Sequence, residues 1–91
     1  MNVEAALPKG RKLLALALRN PAGLRFAQLC ALAEACGFNL ARVSGSHHIY
    51  THALLRSSIN LQDVGGMAKA YQVRQLLKIV EAHDLLGDIT S

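Results

Sequence analysis

Ser44-Gly45-Ser46-His47-His48-Ile49-Tyr50-Thr51-His52 holds three of the chain's four histidines directly behind its most turn-like tripeptide. Gly45 tolerates positive φ and the flanking serines are small, so a tight reversal is expected at 44–46. Ile49, Tyr50 and Thr51 are β-branched or aromatic and favour extended backbone, so the histidines begin a strand. Alternation along that strand puts His48, Tyr50 and His52 on one face and His47, Ile49 and Thr51 on the other. Taking Ile49 as the buried residue turns His47 towards the core and His48 towards the open side. An exposed imidazole titrates near ~6.5 and both takes and gives protons at cellular pH, which makes His48 a candidate acid or base. The competing reading is a polar strand edge that holds histidines by chance.

Outward from this stretch, the 91 residues suffice for one domain with a single core. Hydrophobic residues make up 52% and charged ones 18% of the chain, which excludes a disordered tail. No apolar run approaches the ~20 residues that span a bilayer. Residues 13–18 follow Arg11-Lys12 in the manner of a secretory signal, but the run is short, Arg19 interrupts it and Pro21 follows, so a cytoplasmic protein is expected. Cys30 and Cys36 fit neither a disulfide framework nor a metal knuckle and read as small buried residues in a reducing compartment. Ten Lys plus Arg against six Asp plus Glu leave a net charge of +4, compatible with a polyanionic partner but not diagnostic of one.

Residues 1–7 lack periodicity and read as a frayed terminus. A Leu/Ala-rich helix is expected over 11–19 and ends at Asn20-Pro21, because the residue before proline is pushed out of the helical region. From about Leu24 a second helix carries Phe26, Leu29, Cys30, Ala33 and Cys36 as one apolar stripe, with Gly37 as its left-handed cap. Residues 38–43 alternate as a strand and join the histidine strand in a hairpin. A third strand is expected at 58–64, with Ile59 and Leu61 on one face and Asn60 and Gln62 on the other, and it ends at Gly65-Gly66. Val73, Leu76, Leu77 and Val80 then mark an amphipathic helix over 71–83. Helices covering the greasy face of a three-stranded antiparallel sheet make an α+β two-layer fold.

The ordered set Asn20-Pro21, Phe26, the stretch 29–38, Ser44 to Tyr50 with His52, Asn60-Leu61-Gln62, Gly66, Ala68-Lys69 and 71–81 resembles the HicA toxins of bacterial toxin–antitoxin pairs. The resemblance spans about residues 20–86, within a single domain of residues 1–91 whose first 19 residues form an extension. Two departures from the family pattern are visible: Ala53 stands where proline usually follows the third histidine, and Gly66-Met67-Ala68-Lys69-Ala70-Tyr71 replaces a Gly-Lys-Ala-Lys-Pro-Tyr loop. The resemblance implies a fold similar to double-stranded-RNA-binding domains. It also implies a metal-independent endoribonuclease that cleaves mRNA in stress responses, needs no cofactor and is neutralised by a HicB-like antitoxin.

The same resemblance assigns the catalytic histidine to the Gly-Ser-x-His segment, hence to His48, with His47 beside it. RNA contacts fall to Gly45, Ser46, Tyr50, Lys69, Arg74 and Lys78. Cleavage needs a base for the 2′-hydroxyl, an acid for the leaving 5′-oxygen and positive charge at the phosphate. Position alone offers His52 or Tyr50 as the second proton carrier. An acidic antitoxin is expected to cover both the histidine face and the basic last helix. A non-catalytic RNA-binding module using Arg42, Lys69, Arg74 and Lys78 is the alternative. A metal shared by His48 and His52 is disfavoured, because four residues along a strand span about 13 Å.

Overall fold

The computed structural model describes residues 9–86. The expected frayed stretch 1–7 lies outside them. Seven elements follow in order: α1 (Lys9–Arg19), a 3-10 turn (Pro21–Gly23), α2 (Phe26–Ala35), β1 (Asn39–Ser44), β2 (His47–Thr51), β3 (Ile59–Gln62) and α3 (Ala70–Ala82). The strands form one antiparallel sheet in the order β1-β2-β3. This is the α+β arrangement that the residue pattern predicts, and the extra N-terminal helix is present.

Local chemistry accounts for the boundaries. α1 stops one residue before Asn20-Pro21, and the ring of Pro21 opens the 3-10 turn. α2 ends where Gly37 takes φ +95°, while the Gly37 and Phe38 amides donate back to the Glu34 and Ala33 carbonyls at 3.0 Å. β1 and β2 meet through Gly45-Ser46, with Ser44 paired to His47. Gly45 has φ +58° and Ser46 is not in the left-handed region, the pattern of a II′ hairpin turn. The β3–α3 connection is stitched to the start of α2 by Phe26 N–H on the Gly66 carbonyl and Ala68 N–H on the Leu24 carbonyl, each at 3.0 Å.

α2 and α3 cover one face of the sheet and α1 packs on both helices. Leu29, Leu32, Val73, Leu76 and Val80 from the helices meet Phe38, Tyr50, Ile59 and Leu61 in one buried cluster. Burying each such side chain contributes about 1.5–3 kcal/mol. The helix layer does not reach β1, all six residues of which are exposed, including Leu40 and Val43.

The facing of β2 is the reverse of the one expected. Register pairs Tyr50 with Ile59 and His48 with Leu61, and directly opposed residues share a face. Ile59 and Leu61 are buried, so Tyr50 and His48 join them on the helix side, and Tyr50 is only 2% exposed. Ile49 lies half-buried on the open face opposite Asn60. The reason is size and register together: the large Tyr50 ring fills the space beneath α2, and a strand that buries residue 50 cannot also bury residue 49.

Candidate functional site

Neighbouring histidines in β2 face different worlds. The His48 ring packs edge-on against Phe26, with ring centroids 4.7 Å apart, and its Nδ1 is buried without a hydrogen-bond partner. The ring touches the start of α2, while the residue as a whole is half-buried, like His47. His47 projects from the open face, where its Nδ1 lies 3.1 Å from Asn60 Oδ1. An amide oxygen only accepts, so Nδ1 carries the hydrogen and Nε2 of the neutral ring is left with a free lone pair. Asn60 thus selects the tautomer and aims the ring.

Register collects the rest of the open face around His47. Ser44 and Gln62 flank it directly, and Ile49 separates Arg42 from Asn60 one rung further along. Arg42 is the diagonal neighbour of His47, a separation of about 7–8 Å that a long side chain bridges easily. It is exposed, and a β-bulge between Leu40 and Arg42 sets its position on the strand. Gln62 Nε2 donates to Ser46 Oγ at 3.3 Å and the Asp63 amide to the Ser46 carbonyl at 2.9 Å, which fixes the hairpin turn beside the ring. The Gln62 amide in turn donates to Gln72 Oε1 at 2.8 Å, tying this rung to the first turn of α3. The open face therefore presents a proton carrier, a guanidinium and several amide and hydroxyl groups on a rigid sheet.

The remaining expected residues are dispersed. His52 has both nitrogens engaged: Nε2–H donates to the Cys36 carbonyl at 3.1 Å and Nδ1 accepts from the Leu54 amide at 3.0 Å. It also lies edge-on to Phe38 at 5.0 Å, so it clips the end of β2 to the end of α2 and has no lone pair to offer. The Tyr50 hydroxyl donates to Glu34 Oε2 at 3.0 Å, and burial, with Cys30 and Glu34 nearby, pushes its pKa well above the phenolic range. Tyr50 therefore stands under the helices, bonded to α2, and not on the open face with His47. Lys69 is half-buried, with its ammonium 5.7 Å from the Tyr71 ring centroid. Arg74 and Lys78 are exposed on the side of α3 away from its buried stripe, hence on the helix side of the molecule. His47, by contrast, lies on the opposite, open face of the sheet.

Asn60 and Arg42 complete the site, and residue pattern alone did not single them out as partners of a histidine. Asn60 and Gln62 on one face of β3 were the available signal. Among the described residues no three His, Cys, Asp or Glu side chains gather into a group able to hold a metal ion. No described helix is long and apolar enough to cross a membrane. An open groove of ≈ 410 Å³ lies between residues 54–59 and Gln75, Ile79 and His83 of the α3 region, away from both histidines of the hairpin.

Against known proteins, no curated chain and no solved structure matches. A family model described as the HicA toxin of bacterial toxin-antitoxin matches residues 26–82, from the first residue of α2 to the last of α3. The matched segment contains the whole sheet, both helices that cover it and every residue of the open face around His47, and so the chain belongs to the HicA toxin family.

Proposed function

We propose that the protein is an endoribonuclease toxin that cleaves mRNA with His47 and is neutralised by a HicB-like antitoxin. The observation that carries the reading is the contact on the open face, where Asn60 Oδ1 lies 3.1 Å from His47 Nδ1 and so leaves the Nε2 lone pair free. In this reading Nε2 takes the proton of a ribose 2′-hydroxyl while Arg42 balances the charge that grows on the phosphate oxygens. The 2′-oxygen bonds to phosphorus and the bond to the 5′-oxygen breaks. One fragment ends in a 2′,3′-cyclic phosphate and the other begins with a 5′-hydroxyl, which takes its proton from water or from the imidazolium. Ser44, Ser46, Gly45 and Gln62 border the same space and supply backbone and amide contacts to the strand.

His48 belongs to the scaffold in this reading rather than to the chemistry. Lys69, Arg74 and Lys78 meet RNA only beyond the cleavage site. The antitoxin acts by covering Arg42 and His47.

The test is cleavage of a reporter transcript in EDTA. His47→Ala is expected to lose about 10²–10⁴-fold in rate, the usual cost of removing a positioned proton carrier, with its melting temperature unchanged. Full activity in His47→Ala with loss in a folded His48→Ala would return the role to the second histidine. Intact RNA with the wild type, but measurable RNA binding, would leave a non-catalytic binding module.

A further inference from the structure

The charge of this chain is not spread over the family fold. Residues 9–25 hold five Lys or Arg and no Asp or Glu, whereas residues 26–91 hold five of each. With Glu4 the only other charge, residues 1–25 carry a net +4, whereas the matched segment 26–82 holds five cations against three anions and Asp84 and Asp88 beyond it balance the rest. Four of those cations, Lys9, Arg11, Lys12 and Arg19, are on α1, are exposed, and form no ion pair among the described residues.

For three of the four the placement runs against helix stability, Arg19 being well placed in the last turn. Lys9, Arg11 and Lys12 occupy the first turn, where the positive end of the macrodipole favours acidic residues, and no acidic residue is present there. None of the four has an acidic partner three or four residues away. Local rules broken in this way are found at functional or strained sites, and the described part of α1 shows no contact that compensates. At 100° per residue Arg11, Lys12 and Arg19 fall together on the side opposite the buried Leu13 and Ala17, over a length of about 12 Å.

We infer that the outer face of α1 is a second RNA-binding surface, which grips the phosphate backbone of a strand whose cleavage site lies on the open face of the sheet. The inference rests on the proposed RNA substrate. A lipid surface fits less well, because the apolar residues of α1 are spent on α2 and α3 and Leu18, 63% exposed, is the single large apolar side chain left outside. A protein partner fits less well too, since lysines are depleted at such interfaces and α1 leaves only Leu18 as an apolar anchor beside its cations. Phosphates need only charge and reach, which this face supplies.

The experiment measures binding of the full chain to a single-stranded 2′-O-methyl oligoribonucleotide by fluorescence anisotropy across a salt series. The probe lacks the attacking hydroxyl, so the result does not depend on whether either histidine cuts RNA. A failure of the nuclease reading therefore leaves this measurement standing. In the quadruple variant Lys9→Gln, Arg11→Gln, Lys12→Gln, Arg19→Gln, the slope of log Kobs against log salt is expected to fall by about 2–3 and binding at 0.1 M salt to weaken more than about tenfold. Removing cations from the first turn should keep or raise the melting temperature. If the quadruple variant melts lower, Arg11→Gln/Arg19→Gln replaces it, with an expected fall of about 1 in slope. Unchanged slope and affinity in a folded variant would overturn the inference. So would an effect confined to anionic vesicles or to the antitoxin, with RNA binding intact.

Discussion

His47 and His48 are adjacent and both half-buried, but they lie on opposite faces of the sheet, one bonded to Asn60 and the other against Phe26 with an unpartnered Nδ1. Strand alternation separates them correctly in the sequence, but nothing in a single strand says which set is inside. That was settled by β3, where Ile59 and Leu61 are buried opposite Tyr50 and His48. The unpartnered Nδ1 of His48 gives a test at this scale. An unsatisfied buried polar atom costs about 1–3 kcal/mol, so His48→Phe, which keeps the contact with Phe26, is expected to hold or raise the denaturant midpoint. A folded but clearly less stable His48→Phe would show that the nitrogen has a partner. Asn60 is a positioning residue: Asn60→Ala should lower kcat about tenfold with little change in KM, because the ring loses its orientation while the RNA contacts stay. Asn60→Asp, which keeps an acceptor at the same place, should recover much of the rate. Equal losses in both variants would mean that Asn60 touches the RNA itself.

Among the elements, helices and strands were legible to within about two residues at their ends, apart from the 3-10 turn, because periods of 3.6 and 2 are strong signals and Asn20-Pro21, Gly37 and Gly45 punctuate them. What linked the elements was not legible. The clip formed by His52 joins residues 16 positions apart, and no local pattern announces it. Its consequences are measurable. His52→Ala removes two hydrogen bonds and a ring contact and should cost about 2–3 kcal/mol by urea unfolding. Gly37→Ala should destabilise for two reasons at once, since φ is +95° and a Cβ would lie 2.8 Å from His52 Nε2. In the double variant Gly37→Ala/His52→Ala the steric part vanishes, so the two costs should not add. Strict additivity would place all of the Gly37 effect in the backbone.

At the scale of the whole molecule, two half-layers of opposite character share one sheet, a greasy one under the helices and a polar one open to solvent. Burial of the greasy side pushes the Cys36 thiol up to about 11 and raises Tyr50 further, so the folded chain holds these protons more tightly than the unfolded one. The stabilisation is complete below the ordinary thiol range and is lost as pH climbs towards about 11. For Cys36 it amounts to roughly 2–3 kcal/mol. Urea midpoints should therefore drop across that window, and Cys36→Ala should show a smaller drop than the wild type. Identical drops would assign the effect elsewhere. The two-residue turn at Gly45-Ser46 also ties the halves together, because it sets the phase in which β2 meets β1. One residue inserted there would rotate β2 by half a pleat. Because the two histidines are adjacent, the motif would still offer an imidazole to solvent, but it would be the wrong one, stripped of Asn60, while Tyr50 came out of the core. A loop that tolerates length changes in most hairpins is here a phase lock, and its length should be as invariant under selection for activity as the histidine it serves.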